Sequence, residues 1–128
     1  MDEDQFNTEC DPSGAAYFRA LITAWTKAGG SLKWGAGGVG LRGPIGGKEA
    51  GVCFLAPQFA GKKDRIELAC ASLVKQIGQD RSSKLEKALR AAAGEKALGK
   101  TMISIVEPGT LTSPQQKALN KAFTNLLD

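Results

Sequence analysis

SLKWGAGGVGLRGPIGGKEAGVCFL, residues 31–55, is the stretch on which the fold turns. Leu32 and Trp34 alternate with Lys33, Val39 and Leu41 share one parity, and Gly51-Val-Cys-Phe-Leu is a third apolar run. Alternation at period two predicts three short, half-buried strands. Gly35 to Gly38 makes the first reversal, Pro44 with Gly46-Gly47 makes the second, and Pro57 closes the third strand. Strands separated by such short turns pair most simply as an antiparallel meander.

Outward from this stretch the period changes. Asp11-Pro12 supplies an N-cap and a proline for a helix start, and Tyr17, Phe18, Leu21, Ile22 and Trp25 follow as one apolar stripe before Gly29-Gly30. Downstream, Ile66, Cys70, Leu73, Val74 and Ile77 predict a second helix over 62–77, stopped by Gly78. Ser83 with Glu86 reads as a capping box opening a third helix, in which Leu85, Ala88, Leu89 and Ala92 share a face. Thr101 to Val106 is β-branched and predicts a fourth strand, broken at Glu107-Pro108-Gly109. Ser113-Pro114-Gln115-Gln116 then opens a last helix lined by Ala118, Leu119, Ala122, Phe123, Leu126 and Leu127.

The fold class is therefore α+β: a two-layer domain with about four mostly antiparallel strands, in the order α-β-β-β-α-α-β-α, packed by helices. With 128 residues and 42% apolar composition, residues 11–128 are expected to form a single domain around one core. Residues 1–10 are polar and acidic, with Phe6 their only large apolar side chain, and are expected to form a flexible acidic arm.

Composition also bounds the chemistry. No apolar stretch approaches the roughly 20 residues of a membrane span, and the Met-Asp-Glu-Asp start is the opposite of a basic signal segment, so a cytoplasmic protein is expected. Cys10, Cys53 and Cys70 are an odd, widely spaced set, which suits reduced thiols, with Cys53 and Cys70 as small core residues. There is no histidine, so Ser-His-Asp and Cys-His catalysis are excluded. No metal site and no cofactor are expected.

The net charge of +4 is unevenly placed: Asp2, Glu3, Asp4, Glu9 and Asp11 give residues 1–18 a charge of −5, leaving +9 on the rest. A basic body favours anionic partners through long-range attraction. Two groups of residues are candidates to hold them. Lys33, Arg42 and Lys48 lie at or near strand ends, where Gly37 and Gly38 could add exposed amides to hold a phosphate or carboxylate. Lys84, Lys87 and Arg90 recur every three residues on the third helix and could follow a nucleic-acid backbone.

Two nucleotide-binding patterns match in letters but not in context. Gly94 to Thr101 fits the P-loop, which requires a strand before it and a helix after it; here the expected order is helix then strand. Gly35 to Gly40 fits GxGxxG, yet Leu41-Arg-Gly-Pro cannot form the helix that receives a pyrophosphate, so a tight hairpin is expected. Glu49, Asp64, Glu67 and Lys75, the set a metal nuclease would need, are scattered along the chain, and Trp25 and Trp34 read as core aromatics. The function expected from these features is a non-enzymatic binding or regulatory domain whose basic body contacts an anionic partner, nucleic acid among them, or a protein. The alternative is a small enzyme using lysine, carboxylates or backbone amides.

Overall fold

The computed structural model describes residues 1–58, 61–94 and 101–128. Five strands, β1 (Ser31–Trp34), β2 (Val39–Ile45), β3 (Lys48–Ala56), β4 (Arg65–Ala69) and β5 (Met102–Val106), form one antiparallel sheet in sequence order. The meander expected from residues 31–55 is present, with Trp34 opposite Val39 and Ile45 opposite Lys48 at its two turns. The sheet has five strands, one more than expected.

Alternation decides what each face carries. Val39, Leu41 and Ile45 of β2, Leu55 of β3, Ile66 and Leu68 of β4, and Ile103 and Ile105 of β5 are buried together on one face. Between Leu41 and Arg42 the register shifts by one residue, so that Leu41 faces Cys53 while Arg42 faces Gly51, with Val52 as the extra residue. Pro44 is tolerated inside β2 because β1 pairs only as far as Arg42; beyond that point the Pro44 carbonyl instead accepts from the Asp128 amide at 2.9 Å.

Helices α1 (Glu3–Glu9), α2 (Pro12–Lys27), α3 (Cys70–Ile77), α4 (Gln79–Ala93) and α5 (Ser113–Thr124) complete the described elements, with a 3-10 turn at Pro108–Thr110. Tyr17, Phe18, Leu21 and Trp25 of α2, Leu85 and Leu89 of α4, and Leu119 and Phe123 of α5 join the buried strand residues in one core. The Trp25 indole N–H donates to the carbonyls of Ser31 at 3.1 Å and Arg42 at 2.9 Å, which fixes α2 across the first hairpin. No helix among the described residues is long and apolar enough to cross a membrane.

Three local expectations are corrected. Residues 62–77 are not one helix: Arg65–Ala69 is β4 and only Cys70–Ile77 is helical. Ile66 suits either period, but Ile66 and Leu68 also alternate with Arg65 and Glu67, and the ladder offered by β3 selects the strand. The third helix starts at Gln79, directly after Gly78 at φ 87°, so Ser83 sits inside it and accepts from the Gln79 side chain at 2.9 Å. The capping box of the last helix is present one residue earlier than read, with Thr112 as N-cap and Gln115 as its partner.

Residues 1–10 also differ from the flexible arm expected. Asp2 caps α1 by accepting from the Gln5 amide at 2.8 Å, and Phe6 is fully buried, its ring centroid 5.5 Å from Phe18 and 5.6 Å from Trp34. A single aromatic anchors the segment because α2 and β1 leave a slot lined by two others. The acidic side chains stay outside as the solvated rim of this short helix. Phe6→Ala is expected to destabilise the domain by about 3–5 kcal/mol, the range for emptying a buried aromatic site. Urea unfolding measures it, and an unchanged midpoint would return the segment to a loose arm.

Candidate functional site

The sheet face opposite the core carries a different set of side chains. Across it runs a row of partners, Lys33–Gly40–Phe54–Glu67–Ser104, and beside it Ser31, Arg42 and Gly51 follow in the next row. Gly40 and Gly51 bring no side chain to this surface, so a trough of about 360 Å³ opens over the backbone of β2 and β3. Lys33, Arg42 and Phe54 line it, and α3 supplies a wall through Gln76, whose side-chain oxygen accepts from the Gly51 amide at 3.0 Å. A Cβ on Gly40 would meet nothing closer than 3.7 Å, whereas one on Gly51 would press on the Arg42 guanidinium at 2.9 Å.

The trough is cationic on its β1–β2 side. Lys33 forms no ion pair among the described residues, and Arg42 is held only loosely, 3.9 Å from Glu49. Glu67, on the far side, is neutralised by direct contact with Arg65. A ligand bearing negative charge would therefore meet two cations before any free carboxylate.

The predicted anion-binding residues divide. Lys33 and Arg42 converge on the trough. Gly37 and Gly38 belong to the hairpin loop beyond its end, where Gly35 N–H donates to the Gly38 carbonyl at 2.9 Å. Gly38, at φ 151°, is required because a Cβ would collide with the Leu55 carbonyl oxygen. Gly35 to Gly40 is thus a hairpin with close backbone approach, as its context implied. Lys48 lies at the opposite end of β2–β3. There the amides of Gly46 and Gly47 each donate to the Asp128 carboxylate at 2.8 Å, holding its pKa below the ordinary carboxylate value.

Lys84, Lys87 and Arg90 are exposed on α4, and none of them lines the trough. The two basic groups are therefore separate surfaces. Residues 95–100 of the P-loop match lie outside the described residues; β5 follows the match as a strand at Met102.

No motif or spacing signals the role of Asp64. It is 2% exposed, and its carboxylate accepts from the Gln58 amide at 2.7 Å and the Asp11 amide at 2.9 Å. Its own carbonyl accepts from Glu107 N–H at 2.7 Å, at the one described non-glycine residue with positive φ, 51°. Asp64 thus ties together the end of β3, the entry to β4, the start of α2 and the exit from β5, and Gly14 has no side chain because the carboxylate occupies that space. Burial raises its pKa above the ordinary 3.8, opposed by the two amide donors. The small cavity beside it, about 110 Å³, is bordered by Asp11, Lys63 and Glu107 and belongs to this junction.

The scattered carboxylates do not assemble: among the described residues no group of three metal-ligating side chains converges. Burial pushes the Cys10 thiol up to about 12 and raises those of Cys53 and Cys70 as well, so all three are poor nucleophiles. Comparison with protein-family models, with curated proteins and with solved structures finds no match to this chain.

Asp64→Asn leaves one of the two amide donors facing an NH₂ group, and is expected to cost about 1–3 kcal/mol. The sign of the pH effect follows from a pKa raised in the folded state. Stability from Asp64 is full below the ordinary carboxylate value of 3.8 and declines as pH rises through the raised folded value. Urea midpoints measured across that interval are expected to fall in the parent and to flatten in Asp64→Asn.

Proposed function

We propose that this domain is a non-enzymatic binding module that takes a short single-stranded nucleic acid across the open face of its sheet. The observation that carries this reading is the juxtaposition of Lys33 and Arg42 beside Phe54 over a floor of glycines. Single-stranded chains bind where cations track the phosphates and an aromatic ring takes a base. The glycine floor gives the flat group access that a side chain at Gly40 would close. The Gln76 amide and the Ser72 hydroxyl on the wall offer polar partners for a base edge. Three cysteines, none of them paired, support placement in a reducing compartment such as the cytoplasm.

Binding of a fluorescent single-stranded oligonucleotide, followed by anisotropy, is expected to weaken steeply between about 50 and 200 mM salt. Lys33→Ala and Arg42→Ala are each expected to weaken it roughly 3- to 10-fold and to lower the salt slope by about 1 if each contacts a phosphate. Lys84→Ala, on the other surface, leaves it unchanged. An affinity that is flat in salt, or equal in all three variants, would sink the proposal.

Gly40→Val separates the trough from the fold. The residue lies in β2 with β1 and β3 paired on either side, its Cβ site is unobstructed, and valine suits a pleated surface, so stability should change by less than about 1 kcal/mol. Binding is nevertheless expected to fall as far as in Arg42→Ala, because the branched side chain fills the floor.

A further inference from the structure

Met102 and Val106, 46% and 51% exposed, are the large apolar side chains left exposed among the described residues, and both lie on β5. β5 is an edge strand whose sequence, Met-Ile-Ser-Ile-Val, has no charge. Its inner bonds are set by the flanking contacts: Cys70 N–H donates to the Thr101 carbonyl and Glu107 N–H to the Asp64 carbonyl. In an antiparallel ladder these alternate, so residues 101, 103, 105 and 107 bond toward β4. The amides and carbonyls of Met102, Ser104 and Val106 therefore point outward, and among the described residues nothing bonds them.

We infer that β5 is a self-association edge, which pairs antiparallel with β5 of a second copy of this chain about a two-fold axis at Ser104. The register chooses the occupant. With Ser104 opposite Ser104 of the other copy, each Ser104 N–H donates to the other's carbonyl, and Met102 falls opposite Val106 of the second copy on the same face. Both exposed apolar pairs are thereby covered, and all three outward amides on each strand gain acceptors. A C2 interface needs this kind of self-complementarity. The opposite edge lacks it: β1 has only four residues and bears the exposed cation Lys33, the usual guard against pairing.

Sedimentation equilibrium of the full chain tests the inference. The interface is smaller than a standard one, so the dissociation constant should be weaker than about 1 µM, and the mass should rise from one chain to two as concentration approaches about 1 mM. Ser104→Pro removes an outward N–H without touching the β4 ladder, and Met102→Lys and Val106→Glu place charge at exposed positions. Each is expected to hold the mass at one chain. The double variant Met102→Lys with Val106→Glu is expected to regain two chains, because the introduced lysine faces the introduced glutamate of the other copy. One-chain mass for the parent at every concentration overturns the inference, as does a dimer that persists in the single variants. A double variant that remains at one chain overturns the register, and with it the choice of occupant.

Discussion

The packing of α2 against one face of the sheet governs the rest of this structure. Trp25 sets that arrangement at the first hairpin: its indole N–H is shared between the Ser31 and Arg42 carbonyls, so α2 crosses β1 and β2 at one height and one tilt. Once α2 is fixed, Val39, Leu41 and Leu55 have a partner layer and the alternating residues do not. Lys33, Arg42, Phe54 and Glu67 are left on a face that no described helix covers except at the α3 rim. A surface of this kind is inherent in an antiparallel sheet packed on one side.

Two devices shape that face. The register shift at Leu41 and Arg42 admits Val52 as an additional residue, and Arg42 beside it lines the trough. The glycines at 40 and 51 then remove the floor's side chains. Gly40 has no steric need to be glycine, unlike Gly38, whose Cβ would strike β3, or Gly14, whose Cβ would strike Asp64. A glycine without a packing reason, paired on both sides within a strand, weakens the strand. Its place beside Phe54 gives that cost a reason in the surface itself.

What could be read from the sequence followed locality. The glycine punctuation of residues 31–55 revealed the meander, and Lys33 and Arg42 could be placed outward by parity alone. β4 could not be separated from the helix that follows it, because Ile66 fits both periods and its ladder partner Leu55 lies eleven residues away. Phe6 looked like a stray apolar residue until α2 and β1 supplied its slot. Asp64 joins four elements that are adjacent only in the folded chain, so no spacing could announce it. Phe54 and Gln76 belong to the trough through register and through α3, both of which are tertiary facts.

The same reasoning connects the face to its edges. β1 and β5 end the sheet differently: β1 is short, carries Lys33 and is braced by the Trp25 indole, whereas β5 is neutral and presents Met102, Ser104 and Val106 on the open side. A neutral edge is stable within one chain because Ile103 and Ile105 are held in the core and Glu107 is tethered to Asp64. The strand is thus rigid inward, and among the described residues its outward groups have no partner. Its side chains share the surface of Phe54 and Lys33, so anything that extends the sheet past β5 also extends the surface that carries the trough.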